Sequence, residues 1–154
     1  MKLYLMQHGD AVSAEIDPDR PLSEQGRHDV ERLAVFLTKK PFRPARFIHS
    51  GKTRARQSAE LLAAVCPGAM VEAADGLAPK DPVEPILTQA ESWSGEILLA
   101  GHMPFLGRLA SALLTGNPDS DAVAFQPGSV LCLEVSPKGD WRLVWMLRPE
   151  LLGQ

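Results

Sequence analysis

Short apolar runs that stop abruptly at polar clusters constrain this chain more than any other feature. Residues 2–6 (Lys-Leu-Tyr-Leu-Met), 46–49 (Arg-Phe-Ile-His) and 96–100 (Glu-Ile-Leu-Leu-Ala) are too short for buried helices and suit buried strands, with Met70-Val71-Glu72 as a further short one. Helical patterns fill the gaps. Val30, Leu33, Ala34 and Leu37 repeat at i, i+3, i+4, i+7 after a Ser23 cap, and Ala55, Ala59, Leu62 and Cys66 mark a second buried stripe. A third helix is expected from Asp81, with Asp81 as cap, Pro82 at the first helical position and Glu84 reaching back to the cap. Pro104 opens a fourth, with Phe105, Leu106, Leu109, Ala110 and Leu113 on its apolar face. Alternating strands and helices predict an α/β fold, a three-layer α/β/α arrangement around a mostly parallel sheet. Two final alternating segments, 129–135 and 141–147, flank Pro137-Lys138-Gly139-Asp140 and predict an antiparallel hairpin near one edge. Trp141 and Trp145, four apart, are expected on one face of the last strand as packing residues.

The 154 residues show no repeat or linker and read as a single domain spanning 1–154. A formal net charge of -3 argues against a nucleic-acid or anionic-membrane partner. Lys52, Arg54 and Arg56 do not alter that reading, because Arg54 and Arg56 diverge on a helix and no aromatic residues interleave them. No apolar run reaches the roughly 20 residues that span a bilayer. The N-terminus lacks a secretory pattern, so a cytoplasmic location is expected. The two cysteines, Cys66 and Cys132, lie in apolar surroundings without a C-x-x-C pair and read as buried, reduced thiols.

In sheets of this kind ligands sit beyond the C-terminal ends of the strands. Three polar clusters fall there: Gln7-His8-Gly9, Ser50 to Arg54, and Gly101-His102. An imidazole nucleophile, cationic donors and a second imidazole are the parts that phosphoryl transfer requires, since that chemistry depends mostly on positioning and charge neutralisation. The remaining histidines, His28 and His49, read as a solvated helix residue and a strand-end residue. The four histidines show no H-x-H or H-E-x-x-H spacing, so neither a metal nor another cofactor is expected.

These clusters resemble the histidine phosphatase superfamily, which includes the phosphoglycerate mutases. Its Arg-His-Gly triplet is matched by Gln7-His8-Gly9, and its Ser-x-x-x-Arg-Ala-x-Gln-Thr-Ala run by residues 50–59, with Ser58 at the threonine position. Gly101-His102 matches its later Gly-His, and Leu22-Ser23-x-x-Gly26 its Leu-Thr-x-x-Gly helix start. Arg20-Pro21-Leu22 and Gly101-His102-Met103-Pro104 are similar to segments of the small SixA-type phosphohistidine phosphatases. The resemblance covers about residues 2 to 114. It implies His8 as the nucleophile, Arg54 as a phosphate-binding fork and His102 as a donor to the same oxygens. It also implies Arg20, Ser50 and position 7 as further phosphate contacts.

Two departures bear on activity. Gln7 offers a neutral amide where the family has a guanidinium. The 73–82 stretch is too short for the lid that carries a general acid in larger members, leaving Asp75, Asp81 and Glu84 as the nearby acids. An imidazole leaves phosphorus more readily than an alkoxide, so the resemblance implies a metal-independent phosphatase acting on a phosphohistidine-bearing protein through a phospho-His8 intermediate. Two alternatives remain at this stage: a non-catalytic or attenuated phosphohistidine-binding module, motivated by Gln7, and a phosphatase of small phosphate esters. Sequence leaves the oligomeric state open.

Overall fold

The computed structural model describes residues 1–153; Gln154, the last residue of the expected domain, lies outside the described residues. Strands and helices alternate as β1 (Lys2–Gln7), α1 (Glu24–Leu37), β2 (Arg46–His49), α2 (Thr53–Ala63), β3 (Met70–Ala73), α3 (Glu84–Ala90), β4 (Glu96–Gly101) and α4 (Phe105–Thr115). The hairpin β5 (Val130–Val135) and β6 (Trp141–Leu147) follows, then a short 3₁₀ turn at Pro149–Leu152. The sheet order is β3-β2-β4-β1-β5-β6. The first four of these strands run parallel, while β5 is antiparallel to both β1 and β6.

Strand alternation divides the core into two layers. Leu3, Leu5, Ile97 and Leu99 face Leu106 and Leu109 of α4. Tyr4, Met6, Phe47 and Leu98 face Val30 and Leu33 of α1 and Leu62 of α2. Each fully buried side chain of this kind stabilises by about 1.5–3 kcal/mol, so the expected α/β/α layering follows from period-two strands meeting helical stripes on both faces. No described helix is long and apolar enough to cross a membrane.

The entry to α1 connects this core to the strand ends. Ser23 Oγ accepts the Gly26 N–H at 3.0 Å and donates to Asp10 Oδ2 at 2.6 Å. A Cβ at position 26 would lie 2.0 Å from the Asp10 carbonyl oxygen, so only glycine lets the first turn of α1 sit on the chain leaving β1.

Two expectations are corrected. Asp81 does not cap α3: the helix begins at Glu84 after Val83, and Asp81 Oδ2 instead accepts the Ala78 N–H at 2.8 Å in the preceding turn. The local side-chain bond competes successfully with the cap. Trp141 and Trp145 do not share a face either. Leu133 pairs with Leu143 but Cys132 with Trp145, so Val144 is the extra residue of a β-bulge. The bulge reverses the alternation, placing Trp141 against the α4-side core and Trp145 beside Tyr4, with ring centroids 5.9 Å apart.

Candidate active site

Three strand ends converge as the pattern of polar clusters predicts. His8 leaves β1 with its backbone held on both sides: its N–H donates to Gly101 O at 3.0 Å and its carbonyl accepts the Gly128 N–H at 3.1 Å. Nδ1 of the imidazole lies 2.7 Å from Gly9 O, so Nδ1 carries the proton and Nε2 keeps its lone pair. That lone pair accepts the Arg54 Nε–H at 3.2 Å. Burial lowers the His8 pKa, with Arg54 and Arg20 adding to the effect against the Gly9 carbonyl, which raises it. The ring is thus kept neutral and nucleophilic at Nε2.

Arg54 is placed by the turn into α2. Gly51 adopts φ +90°, which glycine tolerates without a Cβ clash, and its N–H donates to His49 Nδ1 at 3.0 Å. The expected strand-end histidine is therefore buried and supports the turn. Ser58, one turn further along α2, accepts the Gly9 N–H at 3.0 Å and donates to Arg54 O at 2.8 Å. It ties the His8–Gly9 segment to the Arg54 backbone. From the sequence Ser58 reads only as a conservative variant of a family threonine; the informative signal is a hydroxyl one helical turn after Arg54.

His102 is 2% exposed, and its ring centroid lies 5.1 Å from that of His8. Its Nε2 is 2.6 Å from Ser50 Oγ, while Nδ1 is buried without a partner. A buried lone pair is less costly to leave unmatched than a buried N–H, which places the proton on Nε2, toward Ser50. Burial first, then His8, Arg54, Lys52 and Arg20, depress the His102 pKa to about 3, so the ring is a neutral donor. Ser50 also accepts the Lys52 N–H at 3.3 Å.

Arg20 has φ +48°, an uncommon conformation for a non-glycine residue, and its Nε donates to Val12 O at 3.1 Å. Its charge reaches His8, Arg54 and His102, lowering the pKa of all three. The loop that carries it is tethered to α2 by Thr53 Oγ1 donating to Asp19 Oδ2 at 2.9 Å and by the Leu22 N–H donating to Gln57 Oε1 at 2.8 Å. Neither tether is legible in the sequence. Gln7 sits on the Leu3–Leu5 face of β1, in register with Gly101, and its Oε1 is buried without a partner. The structure thus gathers His8, Arg54, His102, Ser50 and the charge of Arg20. Gln7 adds no cation. Among the described residues, no three His, Cys, Asp or Glu side chains form a group able to hold a metal ion.

Residues 3–79 match the model of the histidine phosphatase superfamily, branch 1. The chain belongs to that superfamily. A relative in Picosynechococcus sp., named as an uncharacterized protein, is 33% identical over 76% of this chain and 75% of its own. Among solved structures, the protein histidine phosphatase SixA complexed with tungstate is similar at 25% identity and TM-score 0.83, covering 99% of both chains. A mycobacterial glucosyl-3-phosphoglycerate phosphatase complexed with VO3 shares the fold at 19% identity and TM-score 0.72, over 94% of this chain and 98% of its own. The superfamily's compact form, without a large insertion, is the architecture observed here.

Proposed function

We propose that this histidine phosphatase family member hydrolyses phosphohistidine on a protein through a phospho-His8 intermediate, without a metal. The observation carrying this reading is the pairing at His8: Nδ1–H is committed to Gly9 O at 2.7 Å, which leaves Nε2 unprotonated, its lone pair accepting the Arg54 Nε–H at 3.2 Å until a phosphoryl group takes the guanidinium. In the first step Nε2 attacks phosphorus, an N–P bond forms, and the bond to the substrate's imidazole nitrogen breaks, that nitrogen taking a proton from solvent. Arg54 neutralises charge on the phosphoryl oxygens, His102 donates its Nε2–H to them in place of Ser50 Oγ, and Arg20 supplies further positive potential. In the second step water attacks phosphorus, the His8 N–P bond breaks, and inorganic phosphate leaves.

The leaving group favours phosphohistidine. Asp81, in the stretch where larger members carry the general acid, is occupied with the Ala78 N–H, and no inserted lid separates β3 from α3. Imidazole needs less help. The test is steady-state hydrolysis of a phosphohistidine-bearing protein and of p-nitrophenyl phosphate by wild type and His8→Ala, with and without a chelator. Chelator-insensitive turnover of the protein, lost in His8→Ala, is expected; rapid turnover of the ester alone would overturn the substrate reading.

Gln7 supports a second reading, a module that binds phosphohistidine and cleaves it slowly or not at all. Its amide lacks the charge of the family arginine, and its Oε1 is unmatched. Wild type that binds a phosphohistidine protein without turnover, with activity appearing in Gln7→Arg, would favour that reading.

A further inference from the structure

The loop between β1 and α1 has two ends with opposite character. Its inner end carries Arg20, beside the phosphoryl site; its outer end carries Ile16, 77% exposed. A β-bridge between Ala11 and Leu22 and the Val12 N–H to Pro21 O bond at 3.0 Å close the base of the loop. The Ile16 and Asp17 N–H groups both donate to Ser13 O at 3.1 Å, and Arg20 N–H donates to Asp17 O at 2.9 Å. Asp19 fastens the loop to Thr53, the residue before Arg54. Ile16 is therefore held out on a hydrogen-bonded frame continuous with the site.

Charge separates the possible users of this surface. Residues 10–19 hold four carboxylates, Asp10, Glu15, Asp17 and Asp19, and no lysine or arginine. An acidic rim repels a free phosphate ester approaching the cations behind it, whereas it attracts a protein whose phosphohistidine is surrounded by basic residues. An exposed aliphatic residue likewise gives a small ester nothing to bind, while it gives a protein an anchor.

We propose that the 10–19 loop is a docking surface for the phosphohistidine-bearing protein, with Ile16 inserting into an apolar patch beside that protein's histidine and Glu15 meeting a basic residue at its rim. The inference rests on the phosphohistidine reading and adds where the partner sits. Neither side chain belongs to the catalytic cluster, so docking and chemistry are separable.

The experiment compares kcat/KM for a histidine-phosphotransfer domain phosphorylated on histidine with that for free phosphohistidine, using wild type, Ile16→Ser and Glu15→Lys. Each variant is expected to lose roughly tenfold on the protein, as for an interface anchor, and to stay within about twofold on the free amino acid. Wild-type kcat/KM on the protein should also fall with added salt, more steeply than on free phosphohistidine. Unchanged turnover of the protein by both variants would overturn the docking surface. Equal losses on both substrates would show that the loop only places Arg20, and a change of oligomeric state in Ile16→Ser would make it a contact between copies; either overturns the proposal. Wild type that hydrolyses free phosphohistidine but not the protein would instead sink the substrate reading, and the docking surface with it.

Discussion

The two sides of the candidate site are built to different standards. On the α2 side the polar groups form a closed set: Gly9 N–H to Ser58, Ser58 to the Arg54 carbonyl, Arg54 Nε to His8, and His8 Nδ1–H back to Gly9 O. On the side built by β1 and β4, Gln7 Oε1 and His102 Nδ1 are buried without partners. The closed side is organised before any substrate arrives, which is what transition-state stabilisation needs. The other side carries two unmatched groups, one of them Gln7 at the position where the superfamily pattern has an arginine. On the proposed mechanism, the α2 side supports His8 as nucleophile, and Gln7 on β1 is the position at which activity is attenuated.

Substitutions on each side break or sharpen that contrast. Arg54→Lys keeps a positive charge but removes the planar fork and the Nε–H that meets His8, so kcat/KM should fall by about 10²–10³; stopped assays on either substrate will show it. Ser58→Ala leaves the Gly9 N–H buried and unpaired, and should cost about 1–3 kcal/mol in urea unfolding. Gln7→Arg should act in the opposite sense. A charge-assisted donor replaces an unmatched amide, raising kcat/KM roughly tenfold or more; an unchanged rate would remove the attenuation assigned to β1.

A further effect is one of pH. Folded His102 titrates near pH 3 against an ordinary value of 6.5. Between those values the unfolded chain binds more protons, so stability is full above pH 6.5 and declines as the pH falls toward 3. The His102 contribution to that slope is at most about 1.4 kcal/mol per pH unit. In His102→Gln the slope of unfolding free energy against pH should flatten by up to that amount. Burial also lowers the His8 pKa, so the acid limb of kcat/KM should lie below 6.5.

The parts of the molecule governed by period and local chemistry could be read from the chain. Leu3 to Met6 and Ile97 to Ala100 are apolar on both faces because helices cover both, and Ser23 followed by Gly26 marks the α1 start. The convergence of His8, Arg54 and His102 is legible because each sits at a strand end or in the first turn after one. What escaped depends on long-range pairing. The Val144 bulge is set by register against β5, not by the composition of β6, and it moved Trp145 to the other face. Asp81 had two local partners available, and the Ala78 N–H prevailed. Ser58 and the Asp19–Thr53 link join segments distant in sequence, so their roles emerge only once α2 lies beside the β1 exit.

The central claim is that His8 Nε2 becomes phosphorylated. The most direct measurement is a rapid quench of wild type with a substrate labelled in its phosphoryl group, followed by localisation of the label. The account predicts a base-stable, acid-labile phosphoryl group on His8 that accumulates within a turnover and is absent in His8→Ala. Turnover by wild type with no label on the protein, or with label on another residue, would contradict it.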